Sequence, residues 1–173
     1  MIDVVQAVPL LIFPALVILA GLRDMVSYTI PNWISLALLG GFPLAALTLG
    51  LGPTALGLHL AIGVAALLAG MAMFGLGWIG GGDAKLFAAA ALWLGWPAVG
   101  TFLVVTGLAG GALATGLLML RGPLLRPFVM TGPPWFLRLA EPGENVPYGL
   151  AIAVGGLAAF PAATLVQGTS LPF

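Results

Sequence analysis

Six apolar runs fill almost the whole chain, and almost nothing charged interrupts them. They extend from about Val4 to Leu22, Trp33 to Leu51, Leu56 to Ile79, Ala84 to Trp96, Ala98 to Leu120 and Val146 to Val166. A predominantly apolar run of about 20 residues is long enough to cross a bilayer as a helix. Charged residues make up 6% of the sequence, against about 25% in soluble domains. So few charges could not cover the surface of a soluble fold. The sequence predicts an all-α polytopic membrane protein with six transmembrane helices, forming a single membrane-embedded domain over residues 1–173.

The basic residues set an orientation. They are Arg23, Lys85, Arg121, Arg126 and Arg138. With six spans, they follow spans 1, 3 and 5, all on one side. By the positive-inside rule that side is cytoplasmic, and both termini face outward. The cytoplasmic loops then fall at about 23–32, 80–85 and 121–147. Trp33, Trp78, Trp96 and Trp135 fall near span ends or in a loop, as interfacial aromatics do.

Other classes drop out. Net charge is zero and no basic run is present, so no nucleic-acid partner is expected. The chain has no cysteine, which excludes disulfides and thiolate-held metals. The opening "MIDVVQAVPLLIFPALVILAGL" has no positive n-region or small-residue cleavage site, so it reads as a retained span rather than a signal peptide. "GLAGGALATG", Gly107 to Gly116, carries small residues at helix-packing spacing. His59, inside span 3, reads as a hydrogen-bonded packing residue.

Two carboxylates remain to be explained. Asp24 closes span 1 and Asp83 opens span 4, so both belong at the cytoplasmic end of the bundle. Span 4 is short: its thirteen residues would reach about 20 Å, and the hydrocarbon core is about 30 Å thick. If span 4 reaches the outer surface, Asp83 lies about 10 Å below the inner one. A carboxylate there costs about 2.5 kcal/mol or more and normally faces the bundle interior or a water-filled cavity. Gly80, Gly81 and Gly82 precede it, breaking span 3 and giving the cavity a thin, flexible edge. Pro31 and Asn32 start span 2 beside Asp24, with Pro31 suited to a first helical turn.

Taken alone, these residues leave three readings open. Interfacial aspartates cap helices, and Asp24 could pair with Arg23 or Lys85. Intramembrane carboxylates also mark ion and proton pathways, as in a non-enzymatic transporter or assembly subunit. Finally, two facing carboxylates that share a proton can hydrolyse a peptide bond, one accepting a proton from water and the other donating to the scissile carbonyl. That chemistry needs no metal and no cofactor.

The motifs resemble those of one family. "DMVSYTIPN", Asp24 to Asn32, resembles the first aspartate motif of type IV prepilin peptidases, and "GGGDAKL", Gly80 to Leu86, resembles their Gly-x-Gly-Asp-x-Lys-Leu motif. "VPYGLAIAVGG", Val146 to Gly156, is similar to the Pro-[Phe/Tyr]-Gly element that starts their last helix. The resemblance implies an aspartic endopeptidase with Asp24 and Asp83 as the catalytic pair. Gly80, Gly82, Lys85, Pro31, Asn32, Pro147, Tyr148 and Gly149 would form the surrounding motif. It implies cleavage of the basic leader of prepilins on the cytoplasmic side of a bacterial inner membrane, with the precursor and the lipid bilayer as partners. The chain lacks the cysteine-bearing amino-terminal insert that larger members use for N-methylation. The short form resembles the peptidases of Flp-type, tight-adherence pili, and leader cleavage without methyl transfer is the expectation.

Overall fold

Backbone polar groups in lipid have no water to bond, and a helix satisfies them within its own segment. The computed structural model describes residues 4–122, 137, 139, 141 and 145–168, with side chains from residue 8 onward. Among the described residues every regular element is helical. Helix α1 spans Val4–Ser27, α2 Asn32–Thr48, α3 Pro53–Gly75, α4 Gly81–Leu94, α5 Ala98–Arg121 and α6 Tyr148–Ala159. A 3₁₀ turn, Phe160–Ala162, leads into a four-residue helix α7, Thr164–Gln167. Arg126, Trp135, Arg138 and most of the loop expected at 121–147 lie outside the described residues.

The helices follow the expected order but differ in reach. Among the described residues, four segments are long and apolar enough to cross a membrane: Val8–Ser27, Pro53–Gly75, Ala98–Arg121 and Tyr148–Gln167. The apolar α2 is shorter, at 17 residues, and α4 has 14. The sixth segment is not one continuous helix. Pro161 has no N–H for a helical ladder, and the chain tightens into the 3₁₀ turn before Ala163 turns extended at ψ 139°.

Helix ends moved for identifiable reasons. Span 3 was expected to continue to Ile79, yet α3 stops at Gly75. Gly77 takes φ +74°, its N–H bonds to the Phe74 carbonyl, and the Trp78 N–H reaches back to Met73 at 3.0 Å. This is a Schellman end, which needs a left-handed residue just past the helix. In the other direction, α1 continues past Leu22 to Ser27 and carries Asp24 in its last turns. Gly81 and Gly82 belong to the first turn of α4 rather than to a broken end of α3.

Helix α4 is the centre of the bundle. It lies against α1, α2, α3, α5, α6 and α7, and ten of its 14 residues are buried. Helices in lipid gain little from apolar burial against each other, so close packing must hold them. The run Ala88–Ala91 supplies that with buried alanines, and Trp93 anchors the far half. Its ring meets Phe13 and Phe42 at centroid distances of 5.7 and 6.1 Å, and its Nε1–H donates to the Leu38 carbonyl at 2.8 Å. Buried tryptophan normally finds such a partner.

The end of α4 nearest Leu94 is capped from outside. His59 is fully buried and its Nδ1 lies 2.7 Å from the Leu92 carbonyl. A carbonyl only accepts, so Nδ1 carries the proton. Nε2 lies 2.6 Å from the Thr164 hydroxyl. The last four carbonyls of a helix lack helical partners, and His59 satisfies one of them. The histidine is therefore a hydrogen-bonded packing residue, as expected, tying α3, α4 and α7 together.

These contacts fix the depth of α4. Ala84 lies against Gly70, and α3 continues from there to Gly75, about 8 Å further at 1.5 Å per residue. At the opposite end α3 begins at Pro53, about 9 Å before His59. So α4 is recessed at both ends relative to α3, and whatever its first turn carries sits inside the bundle.

Candidate active site

Alternating helix directions bring the last turns of α1, α3 and α5 to the same end as the first turns of α2, α4 and α6. Each carboxylate enters from one of these ends. Asp24 comes from the last turns of α1 and is 5% exposed; Asp83 is the third residue of α4 and is 7% exposed. Both line one cavity of about 260 Å³, together with Tyr28, Thr29, Ile30, Gly80, Gly81 and Gly82.

Each carboxylate is tied by one oxygen. Asp83 Oδ2 accepts the Gly80 N–H at 3.0 Å, the return half of a capping box at the start of α4. Capping thus occupies one oxygen only. Asp83 Oδ1 is buried with no hydrogen-bond partner among the described residues. Asp24 Oδ2 accepts the Gly149 N–H at 2.7 Å. Gly149 is the second residue of α6, where a backbone N–H has no helical acceptor and the helix dipole favours a negative group.

Ion pairing does not explain the aspartates. Among the described residues neither is in an ion pair. Lys85 Nζ donates instead to Asn32 Oδ1 at 2.8 Å, joining the first turns of α4 and α2. Both residues are exposed. Arg23 is exposed as well.

Ile30 locks the cavity floor. It is buried at 8% exposure and lies beneath both Gly82 and Gly149. A Cβ on Gly149 would come within 2.8 Å of Ile30 Cδ1 and 2.9 Å of Asp24 Cβ and Oδ2. A Cβ on Gly82 would meet Ile30 Cβ at 3.1 Å. Gly149 has no room for a side chain and Gly82 only a tight one, which lets α6, α4 and the 28–31 segment converge on the carboxylates.

The motif residues divide into three groups. Asp24, Asp83, Gly80, Gly82 and Gly149 form the cavity or its wall. Lys85 and Asn32 pair beside it, and Pro31 is the extended N-cap of α2. Pro147 is the fully buried N-cap of α6, while Tyr148 turns away, its ring lying against Gly110 of α5. Sequence reasoning did not single out Tyr28, Thr29 or Ile30. Tyr28 holds φ +54°, a left-handed conformation uncommon for a bulky residue, and its N–H bonds the Asp24 carbonyl at 2.8 Å. The available signal was an absence. No glycine follows α1, so another residue had to take the left-handed position that turns the chain back over the cavity.

Residues 11–115 match the model of the type IV leader peptidase family. The curated proteins and the solved structures yield no match.

Proposed function

This chain belongs to the type IV leader peptidase family, and on that premise we propose that it is an aspartic endopeptidase that removes the leader of Flp-like prepilins. The observation that carries the reading is the single cavity into which Asp24 and Asp83 both project, with one Asp83 oxygen left without a partner. In the proposed step the pair holds one proton. The ionised carboxylate takes a proton from water, and the oxygen of that water bonds to the scissile carbonyl carbon. The protonated carboxyl donates to the carbonyl oxygen. The tetrahedral species then expels the amine, which leaves with a proton from the pair. The aspartates act as a unit, so neither is assigned a fixed role.

The setting proposed is a bacterial inner membrane crossed six times, with both termini outward and the site toward the cytoplasm. In support, the described cations Arg23, Lys85 and Arg121 all lie at the end of the bundle that holds the carboxylates. The chain has no cysteine, and we propose cleavage without methyl transfer.

The test is co-expression with a Flp-type prepilin, read by gel shift and product mass. Wild type is expected to release the mature pilin at its unmethylated mass, while Asp24→Asn and Asp83→Asn insert in the membrane and release none. Cleavage by either variant at the wild-type level overturns the assignment.

A further inference from the structure

The carboxylate cavity is walled by two stretches of chain, 24–30 and 80–83. In the second, Asp83 has the one side chain, and Gly80, Gly81 and Gly82 supply the rest. Glycine lets a peptide come close to the backbone but gives no side chain to hold it. Carboxylates aside, a lining side chain that grips a substrate must therefore come from Tyr28, Thr29 or Ile30. Ile30 is the buried floor beneath Gly82 and Gly149. Thr29 is exposed, and its hydroxyl lies 3.1 Å from that of Ser27. Tyr28 is half-buried with its hydroxyl shut off from solvent. It offers a substrate ring carbon rather than a polar tip.

The backbone at Tyr28 makes this side chain a costly choice. Among the described residues, the other positions with positive φ are Gly50, Gly77 and Gly95. Gly50 and Gly77 let the chain leave α2 and α3. Tyr28 holds the corresponding place after α1, at φ +54°. A Cβ is opposed by this conformation, and glycine is the residue that normally takes it. The turn needs backbone only: the Tyr28 N–H bonds the Asp24 carbonyl at 2.8 Å, and a glycine would carry the same N–H. The chain thus uses glycine at two helix ends and a strained tyrosine at the one that lines the cavity. Strain of this kind gathers at functional sites, where the surrounding structure holds it in place.

We propose that the Tyr28 ring is a substrate-binding contact, lying against the peptide beside the scissile bond and holding it at Asp24 and Asp83. The proposal rests on the peptidase reading above and adds the side chain that grips the substrate. Tyr28 takes no part in proton transfer.

Glycine separates the ring from the turn. Tyr28→Gly removes the side chain and relieves the backbone, so it should unfold in detergent near the wild-type temperature. Steady-state cleavage of a soluble peptide that spans the scissile bond is the readout. With Tyr28→Gly, KM is expected to rise about tenfold or more and kcat to stay within about threefold, the pattern of a contact made equally before and at the transition state. Tyr28→Phe keeps the ring and should show the wild-type KM. Because the chain has no cysteine, Tyr28→Cys in an Asp83→Asn background reports the contact directly. Under mild oxidation it should form a disulfide with a cysteine placed beside the scissile bond of the precursor. Leu118→Cys on α5, 70% exposed in the native chain, should not. A wild-type KM in Tyr28→Gly, or absence of the Tyr28 cross-link, overturns the proposal and leaves Tyr28 a turn residue. A fall in kcat at unchanged KM overturns it as well, since the ring would then serve the carboxylates rather than the substrate. Should Tyr28→Gly prove unstable, the cross-link decides. Failure of wild type to cut the peptide and the precursor instead overturns the peptidase reading, and the inference with it.

Discussion

Gly149 and Asp24, 125 positions apart in the chain, meet as backbone N–H and side-chain Oδ2 at 2.7 Å. This contact ties the first turn of α6 to the last turns of α1 and orients one carboxylate of the pair. A methyl group at Gly149 would sit 2.9 Å from Asp24 Cβ and Oδ2 and 2.8 Å from Ile30, closer than real carbon contacts permit. Something must shift, and a misplacement of about 1 Å at a reacting group costs about 100-fold in rate. Gly149→Ala is therefore expected to lower kcat/KM by about two orders of magnitude while the protein still inserts. Gly57→Ala is the control, since no heavy atom lies within 4 Å of its added carbon. It should retain full activity. A Gly149→Ala protein as active as Gly57→Ala would remove α6 from the catalytic geometry.

Asp83 has two separable duties, and two substitutions separate them. Its Oδ2 caps α4 through the Gly80 N–H at 3.0 Å, and asparagine keeps an oxygen that can accept that bond. Alanine does not, and losing a cap costs about 0.5–2 kcal/mol. Both Asp83→Asn and Asp83→Ala should be inactive, but only Asp83→Ala should unfold at a clearly lower temperature. Thermal unfolding in detergent measures the difference. Equal stability in the two variants would show that the cap contributes nothing and that the side chain serves chemistry alone.

How far this arrangement was legible in the sequence depended on the kind of contact. Asp24 and Asp83 could be placed at one end of the bundle because span order alone fixes which end each helix presents. The shortness of α4 was legible from the sequence, but not that it stops short of α3 at both ends. The exact helix ends were not. Gly77 terminates α3 because its backbone turns left-handed, but in a chain with 26 glycines that one glycine carries no distinguishing mark. The Gly149–Asp24 bond was invisible too, since it joins a backbone donor to a distant side chain and leaves no pattern at either place. The Pro-Tyr-Gly element drew notice to the right segment, yet Tyr148 faces α5 and the glycine forms the site wall.

A pair that works with one shared proton makes its own pH signature. As pH falls, both carboxylates become protonated and no base remains for water. As pH rises, both ionise and no donor remains for the carbonyl. The profile of kcat/KM should therefore rise and fall, and its two limbs belong to the pair rather than to either residue. Cleavage of a soluble peptide across the pH range, in buffers of constant ionic strength, gives the profile. A curve that climbs to a plateau and stays there would show that no protonated carboxyl is needed.

His59 offers the clearest separation of folding from catalysis. It stands at the end of α4 away from the carboxylates and binds the Leu92 carbonyl at 2.7 Å and the Thr164 hydroxyl at 2.6 Å. Removing the ring leaves a buried carbonyl unsatisfied, at a cost of about 1–3 kcal/mol, together with a cavity beside Phe42, whose ring centroid lies 5.5 Å from that of His59. His59→Ala is expected to lower the unfolding temperature by several degrees. The carboxylate cavity is built by the opposite ends of the helices, so cleavage measured well below that temperature should stay within a few-fold of wild type. Gly95→Ala probes the same contact from the other side. Gly95 holds φ +61° and faces the His59 ring closely, so a side chain there is opposed by both the backbone conformation and the imidazole. It should destabilise at least as much as His59→Ala. If either variant lost cleavage in proportion to stability while still folded at the assay temperature, the two ends of α4 would be coupled, and His59 would be a positioning residue for Asp83.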